Sequence, residues 1–205
     1  MVADGELLAA WRGGDGQAGR RLVERYFRPI SRFFVNKVSS DHEDLIQETF
    51  AACVRGRNRI RQESSFRSYL FSTAYNVLKT HYARNARASV LADLESHSVS
   101  DLAPGPSTAL RANEASQRLL DGLRQIPLEL QLVLEMRYWE RMSSAEIGVA
   151  LDLPPGTVRT RLRRGRTMLA ARLEQSGASE ASLIDLEQWA DRVRAQLERA
   201  QEPEA

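Results

Sequence analysis

The chain has 205 residues, of which 42% are hydrophobic and 27% are charged, and its formal net charge is only +2. This length suits one medium domain or two small ones with packed cores. A single cysteine, Cys53, excludes an internal disulfide. No apolar run in the sequence is long enough for a membrane-spanning helix, and the first residues lack the charged-then-apolar order of a signal peptide. A cytoplasmic location is therefore expected.

Charge is unevenly distributed along the chain. Between Pro154 and Leu173 there are six arginines and no acidic residue, and arginine occupies every second position from Arg55 to Arg61. From Glu180 to Ala205 there are seven acidic residues and three arginines. This separation indicates a polyanionic partner and an acidic tail. For any one of these runs alone, an ordinary solvated surface is the alternative.

Two breaks divide the chain into helical parts. Runs rich in Ala, Leu, Arg, Glu and Gln predict an all-α fold. The segment Ala103-Pro104-Gly105-Pro106-Ser107 excludes a continuous helix, and Ser176-Gly177-Ala178-Ser179 is a second break. We predict two small helical domains over residues 1–87 and 113–175, a flexible linker over 88–112, and a C-terminal amphipathic helical extension over 176–205.

Three serines mark predicted helix starts. Ser40 and Ser143 are each followed three residues later by glutamate, which is the form of a capping box. Ser182 precedes Asp185 in a weaker version of the same pattern. Each signal comes before an apolar pattern of helical spacing, which supports the predicted helix.

The first domain contains a helix with an acidic side. Ile46, Phe50, Cys53 and Val54 form an apolar stripe at helical spacing. On the other side lie Asp44, Gln47 and Glu48. Two interpretations compete, namely an ordinary exposed acidic turn and a docking surface for a basic partner. Acid–base catalysis has no support, because the sequence indicates neither a nucleophile nor an environment that would raise a carboxyl pKa.

Aromatic and basic residues alternate in the segment from Phe66 to Arg87. Aromatic rings can stack on unpaired bases, and cations can contact phosphates. Leu70, Phe71 and Leu78 are assigned to the core. For Tyr75 and Tyr82 both interpretations remain open, because a buried aromatic gives the same spacing.

The second domain has the pattern of a helix-turn-helix. Its first helix has an apolar face formed by Leu130, Val133, Leu134 and Tyr138. A short helix follows the Ser143 cap, with Ile147, Ala150 and Leu151 directed inward. The segment 152–156 (Asp-Leu-Pro-Pro-Gly) then stops that helix. The last helix has an inner side formed by Val158, Leu162, Gly165, Leu169 and Leu173.

The outer side of this last helix is basic. It carries Arg159, Thr160, Arg163, Arg164, Arg166 and Thr167. Arginine in the first turns of such a helix can form paired hydrogen bonds with guanine in the major groove, and later arginines can neutralise phosphates. Gly165 permits close approach of a neighbouring helix. The alternative is a solvated basic helix in an ordinary bundle.

The second domain resembles the fourth conserved region of sigma-70 family factors. The similar segments are residues 127–129, 133–134, 137–138, 142–147 and 153–162, with Gly156-Thr157-Val158-Arg159 and Arg161-Leu162 the most specific. The resemblance implies that the last helix recognises the −35 promoter element. The implied contact residues are Thr157, Arg159, Thr160, Arg163, Arg164 and Arg166.

The first domain resembles region two of the same family. Residues 41–50 are similar to the D-x-E-D-L-x-Q-E-x-F core, and Leu7 to Val35 resembles its earlier part. The resemblance implies a helix that binds the clamp helices of the largest polymerase subunit, through Asp41, Asp44, Leu45, Gln47 and Glu48. The stretch Phe66 to Arg84 resembles the regions that capture and melt the −10 element. The implied −10 residues are Arg59, Arg61, Phe66, Tyr69, Tyr75, Asn76 and Lys79.

Five positions depart from the family pattern. Tyr69 stands where tryptophan is common, Tyr75 where arginine is usual, and Thr80 where aspartate is usual. These differences predict an altered −10 preference. In the second domain, Ser144 replaces a usual aromatic and Asp152 a usual glycine, which affects the support helix and the turn.

Of two candidate functions, the resemblance favours an RNA polymerase sigma factor of the small extracytoplasmic-function group, which lacks the third region and directs promoter recognition, DNA melting and transcription initiation. Its implied partners are core RNA polymerase (clamp helices and flap), promoter DNA and a candidate anti-sigma factor, without membrane insertion. The other is a stand-alone helix-turn-helix regulator. No enzyme activity and no cofactor are expected, because His42, His81 and His97 are scattered and no metal-ligand cluster occurs.

The C-terminal extension has an amphipathic pattern of its own. Leu183, Leu186, Ala190, Val193 and Leu197 alternate spacings of three and four residues. Such a helix is marginal alone in water, so it is expected to pack on something. It either extends the second domain or covers a functional surface until it is released.

Overall fold

The computed structural model describes residues 2–38, 41–60, 66–85, 96–102 and 114–176. Regular structure in these ranges is helical, apart from one isolated antiparallel bridge between Ser98 and Pro127, so the predicted all-α class is confirmed. A short 3-10 helix, Arg57–Arg59, follows the third α-helix. The α-helices are α1 (Asp4–Arg12), α2 (Gly16–Val35), α3 (His42–Gly56), α4 (Phe66–Asn85), α5 (Val99–Leu102), α6 (Glu114–Arg124), α7 (Leu128–Tyr138), α8 (Ser144–Leu151) and α9 (Pro155–Gln175).

Several predictions concern residues that the structure does not describe. The capping serines Ser40 and Ser182, the −10 candidate Arg61, most of the predicted linker and the extension beyond Ser176 lie outside the described residues. These remain predictions.

The first bundle is formed by α1 to α4. Asp15 caps α2, because its carboxylate accepts hydrogen bonds from the backbone N–H of Gln17 at 2.8 Å and of Ala18 at 3.2 Å. The core assignment of Leu70, Phe71 and Leu78 is confirmed, since all three are fully buried.

The sequence did not decide whether Tyr75 and Tyr82 belong to the core, and both are buried. Tyr75 lies in the core. The hydroxyl of Tyr82 donates a hydrogen bond to the carbonyl oxygen of Lys37 at 2.6 Å, and burial raises the pKa of that hydroxyl.

Val54 was expected in the buried stripe of α3, but its side chain is exposed. Leu45 and Thr49 are buried instead, so the buried face of α3 is rotated away from Val54.

The second bundle has the predicted helix-turn-helix architecture, with α8 and α9 joined by a tight turn. The Ser143 capping box is confirmed: the Ser143 hydroxyl accepts from the N–H of Glu146, and the Glu146 carboxylate accepts from the N–H of Ser143 at 2.8 Å. Asp152 ends α8 in the left-handed conformation, with φ 56° and ψ 50°. Pro155 then occupies the first turn of α9, where its missing N–H has no helical partner to lose.

Two glycines allow close contacts in this bundle. A Cβ atom at Gly148 would lie 2.5 Å from the carbonyl oxygen of Leu153, so the turn can fold back on α8 only when this residue has no side chain. A Cβ atom at Gly165 would lie 3.2 Å from two side-chain atoms of Leu134. The predicted close approach of a helix at Gly165 is confirmed, with α7 as the neighbour.

The two bundles pack against each other, with α8 against α4 and one side of α7 against the first core. The sequence predicts one apolar face on this helix, yet every residue from Leu128 to Met136 except the partly buried Glu129 is buried. One side, with Leu130 and Leu134, packs in the second bundle. Leu132 and Met136 on the other side join the core of the first bundle. The helix therefore separates two cores, a role that one-faced periodicity does not predict.

Part of the predicted linker has a defined structure. Residues 96–102 include α5, and its Val99 is completely buried in the first core. The carbonyl oxygen of His97 accepts a hydrogen bond from the N–H of Leu128 at 2.9 Å. These contacts hold the segment against the start of α7.

No described helix combines the length and apolar character needed to cross a membrane. In the same part of the chain, no group of three or more His, Cys, Asp and Glu side chains is arranged to hold a metal ion.

Candidate nucleic-acid interface

A basic face of α9 is presented to solvent. Five of the six predicted −35 residues are exposed, and Thr157 in the first turn is partly buried. The Thr160 hydroxyl donates to the carbonyl oxygen of Gly156 at 3.2 Å, so it lies along the helix surface. The exposed members are Arg159, Thr160, Arg163, Arg164 and Arg166. Because the inner side of α9 is anchored by Val158, Leu169 and Leu173, this cationic surface is held on a rigid element.

Glu129 on α7 forms a closer ion pair with one arginine of α9 than with another. Its carboxylate lies 2.6 Å from the guanidinium of Arg161 and 3.8 Å from that of Arg164. Arg161 is directed toward the bundle, whereas the Arg164 side chain remains 63% exposed. The sequence places Glu129 in a family-like segment but does not predict that it orients the arginines. The spacing of residues 129 and 161 contains no signal for it.

The predicted −10 residues fall into two groups. Arg59 and Asn76 are exposed, and Tyr69 and Lys79 are partly buried. The ammonium group of Lys79 lies 5.2 Å from the centre of the Tyr75 ring. Arg61 is outside the described residues. The polar residues of this set that the structure describes, Arg59, Asn76 and Lys79, are therefore at least partly exposed to solvent.

The two other aromatics of that set are in the core. Phe66 is only 2% exposed, and its ring centre lies 5.5 Å from that of Tyr26 and 6.4 Å from that of Trp11. Tyr75 is also buried. Neither ring offers a free stacking surface here.

The acidic side of α3 lies at the surface as predicted. Asp41, Asp44 and Gln47 are exposed and Glu48 is partly buried. An oxygen of the Asp41 carboxylate lies 4.0 Å from Nδ1 of His81. Leu45 is buried in the first core, so it supports this surface from inside.

An apolar patch adjoins the acidic side and was not predicted. Phe27 is 50% exposed and stacks on Phe50, with 6.4 Å between ring centres and 9° between ring planes. Phe50 is one helical turn from Gln47 and from the exposed Val54. The sequence contains one indication that Phe27 is exposed. Phe27 does not share the helical spacing that relates the buried Tyr26 and Ile30 on α2.

Two family models match separate parts of the chain. The family model for Sigma-70 region 2 matches residues 20–88, and the model for Sigma-70, region 4 matches residues 116–169. The ECF RNA polymerase sigma-E factor of Haemophilus influenzae is 26% identical over 183 residues, covering 85% of this chain and 97% of the relative. The protein of the same name from Escherichia coli (strain K12) is 27% identical over 175 residues, covering 81% and 92%.

A solved structure has the same fold. A chain from the structure of CnrH in complex with the cytosolic domain of CnrY aligns with a TM-score of 0.62 and 22% identity. The alignment covers 85% of this chain and 99% of that chain.

A stand-alone helix-turn-helix regulator is not favoured, because α2, α3 and α4 match region 2 and not only the DNA-binding region. Sigma factors are transcription initiation factors that bind core RNA polymerase and promoter DNA. The chain belongs to the extracytoplasmic-function group of the sigma-70 family and is an RNA polymerase sigma factor.

Proposed function

We propose that this sigma factor divides promoter recognition between its two helical domains. The domain over residues 1–87 binds polymerase and melts the −10 element, and the domain over 113–175 binds the −35 element. Residues 88–112 connect them, and 176–205 form an extension. The observation that carries this proposal is the exposed arginine face of α9 above a fully packed inner side.

The contacts at the −35 element follow from position along α9. Thr157, Arg159, Thr160 and Arg163 occupy its first turns, which enter the major groove in a helix-turn-helix. A bidentate arginine–guanine contact is worth about 1–3 kcal/mol of discrimination. Arg164 and Arg166 contribute mainly by neutralising phosphates, which makes binding weaker as salt increases.

The first domain supplies contacts to the melted strand. Arg59, Arg61 and Lys79 contact phosphates, and Tyr69 and Asn76 contact bases. Phe66 and Tyr75 reach the strand only if the packing around them changes, because both are buried. Tyrosine at position 69 keeps a stacking ring while adding a hydroxyl, which supports a changed −10 preference.

The acidic side of α3 is the proposed polymerase contact. Asp41, Asp44, Gln47 and Glu48 meet the clamp helices of the largest subunit, and Leu45 supports them from the core. Carboxylates at a partner surface steer association and select a basic partner. The second domain contacts the polymerase flap in the same assembly.

A further proposed partner is an anti-sigma factor in the cytoplasm. The aligned CnrH chain was solved with the cytosolic domain of CnrY bound to it. Because the two chains share one fold, a cytosolic protein domain that binds this sigma factor is the corresponding partner.

Run-off transcription with core polymerase on a promoter library tests the proposal. We expect transcripts from a defined set of promoters, each with two separated elements, only when this protein is added. Tight binding to a single DNA site without polymerase, together with no stimulation of transcription, would contradict it. Co-purification of the protein with core polymerase provides the direct test of docking.

A further inference from the structure

We propose that Arg12, in the last turn of α1, is a positioning residue for the −10 contacts of this sigma factor. Its guanidinium holds the backbone that follows α3, and this backbone carries Arg59 and supports Tyr69. Arg12 lies outside the matched family model for region 2, which covers residues 20–88. The proposal rests on the −10 contacts assigned above to Arg59 and Tyr69.

The carbonyl oxygens at the end of α3 receive their hydrogen bonds from Arg12. A helix end leaves such oxygens without a partner in the helix itself. The Nε atom of Arg12 donates to the carbonyl oxygen of Arg57 at 3.0 Å, and its Nη2 atom donates to that of Ile60. A cation at this end of a helix is also favoured by the helix dipole. The two bonds therefore fix the 3-10 helix Arg57–Arg59 at both of its ends.

The planar guanidinium suits this pair of acceptors. Arginine presents the hydrogen atoms of Nε and a terminal nitrogen side by side in a fixed fork. A lysine ammonium group is a compact charge on a flexible stem and does not reproduce that fork. The contact is partly buried, and Ile60 is only 3% exposed. Removal of the guanidinium therefore leaves acceptors that water reaches poorly, which is unfavourable.

Arg12 is carried by a helix that is fixed at both ends. At the start of α1, the Asp4 carboxylate accepts a hydrogen bond from the Tyr26 hydroxyl on α2. Near the end of α1, the indole ring of Trp11 lies against Gly19 on α2, where a Cβ atom would overlap the ring. The Arg12 side chain therefore extends from a backbone whose place in the first bundle is set by packing.

The neighbouring Trp11 contacts the same region. Its ring centre lies 6.0 Å from the guanidinium carbon of Arg57. It lies 6.4 Å from the ring centre of Phe66, with 75° between the ring planes. Phe66 is the first residue of α4. Two consecutive residues of α1 therefore contact the backbone after α3 and the start of α4, which are the elements that carry the −10 residues.

Tyr69 lies on the backbone that Arg12 holds. A Cβ atom at Gly56 would overlap the Tyr69 hydroxyl, so this end of the tyrosine rests directly on the last residue of α3. Gly56 is followed by Arg57, the first acceptor of Arg12. A shift of the 3-10 helix therefore moves the surface that supports Tyr69.

Arg59 and Tyr69 also interact through charge. Burial raises the pKa of the Tyr69 hydroxyl, and the positive charge of Arg59 opposes that increase, so the guanidinium lies near the ring. Arg59 is exposed and Tyr69 is partly buried. A cation for a phosphate and a ring for a base are therefore neighbours on one short piece of backbone.

Order at this place favours binding of the melted strand. Groups that are fixed before the DNA arrives lose less conformational freedom when they bind it. Without Arg12, the same contacts form only after the 3-10 helix has been ordered. Binding then becomes weaker, and the correct base is less strongly preferred.

Binding of a single-stranded −10 oligonucleotide to holoenzyme measures this role. The holoenzyme is assembled from the full-length protein and core polymerase, and the labelled probe is the non-template strand of a promoter found by run-off transcription. A second probe has the same composition with the −10 sequence scrambled. Fluorescence anisotropy gives both affinities, and their quotient is the discrimination. Loss of folded protein scales both affinities equally, so it leaves the discrimination unchanged.

We expect Arg12→Ala to lower the discrimination about fivefold, the effect of losing one net hydrogen bond. Arg12→Lys keeps the charge and one donor, so it should lower the discrimination only about twofold. The matched control is Arg21→Ala, which removes an exposed arginine from α2 and should leave the discrimination unchanged. Binding to core polymerase should be the same in all three variants. If Arg12→Ala does not fold, Arg12→Lys decides.

A double variant tests whether Arg12 acts through the tyrosine. Tyr69→Ala alone should lower the discrimination. Addition of Arg12→Ala to it should have little further effect, because the side chain that Arg12 positions is then absent. A further loss as large as that of Arg12→Ala in the wild-type background would show independent contributions and contradict the positioning role.

The outcomes separate the two proposals. Wild-type discrimination in the folded Arg12 variants, together with a loss in Tyr69→Ala, would overturn the positioning role alone. An equal loss in Arg12→Ala and Arg21→Ala would overturn it as well, because only the total charge would then matter. No discrimination by the wild-type holoenzyme would contradict the proposed −10 contacts and, with them, the positioning role.

Discussion

Arg161 on the recognition helix is paired with Glu129 on α7, with 2.6 Å between guanidinium nitrogen and carboxylate oxygen. The pair uses the arginine that faces the bundle, whereas the outward Arg164 lies farther from the same carboxylate, at 3.8 Å, and its side chain remains 63% exposed. A recognition helix needs this separation, because a cation that is neutralised within the protein has less attraction for DNA.

Replacing outward arginines should weaken promoter binding while leaving polymerase binding unchanged. Arg159→Ala and Arg163→Ala should each cost about 1–3 kcal/mol at a promoter with the correct −35 sequence. Binding by holoenzyme is measured by electrophoretic mobility shift at several salt concentrations. Arg172→Ala, an exposed arginine in the last turn of α9, is the control and should have little effect. An equal loss in all three variants would show that only total charge matters.

Removing the carboxylates of α3 should instead weaken binding to core polymerase. We expect Asp44→Ala combined with Glu48→Ala to weaken binding to core polymerase by about 2–5 kcal/mol, because charged contacts at an interface carry energies of this size. Affinity is measured by fluorescence anisotropy with labelled protein. Glu6→Ala combined with Glu174→Ala removes the same charge from exposed positions elsewhere and should bind normally. Equal weakening by both double variants would rule out a specific contact at α3.

The turn between α8 and α9 should become more stable with glycine. Asp152 has φ 56°, a region that costs an ordinary residue roughly 1–2 kcal/mol. Asp152→Gly removes that cost but adds unfolded-state entropy, so a net gain of about 0.5–1 kcal/mol is expected. Urea unfolding followed by circular dichroism measures the change. Gly148→Ala should be strongly destabilising in the same assay, because the new Cβ atom would meet a backbone oxygen at 2.5 Å. A loss of stability in Asp152→Gly would mean that its side chain has an additional role.

The charge on Glu146 should stabilise the fold in a pH-dependent way. Burial alone would raise the pKa of this carboxyl, but hydrogen bonds from the Ser143 backbone, Arg67 and the Ser143 hydroxyl outweigh it and hold the pKa below 4.5. The stabilisation is therefore complete above pH 4.5 and is lost as the pH falls through the folded-state pKa. Glutamine can still form a capping box, so Glu146→Gln isolates the charge.

At pH 7 we expect the free energy of unfolding of Glu146→Gln to be about 0.5–1 kcal/mol lower than that of the wild type, because a partly exposed ion pair contributes about this much. The difference in unfolding free energy between wild type and Glu146→Gln should shrink below pH 4.5. Denaturant unfolding from pH 7 to pH 3 measures it. A difference that stays constant over this range would show that the charge on Glu146 contributes nothing.

The structure of each domain could be predicted largely from local patterns. The Ser143 capping box, the close approach at Gly165 and the exposed arginines of α9 all occur where the sequence predicts them. These features depend on residues within a few turns of one another, and the helical period of 3.6 residues makes them visible in the sequence. The acidic side of α3 is predictable for the same reason.

The contacts between domains could be found only in the tertiary structure. Lys37 and Glu135 are separated by 98 positions, and no periodicity relates them. The burial of α7 on both sides, the burial of Phe66 and the exposure of Val54 likewise depend on which surfaces meet. The sequence by itself determined the helices, their caps and the recognition face, because short-range geometry decides these. Tertiary packing alone decided which apolar and charged groups lose water, because desolvation depends on neighbours from distant parts of the chain.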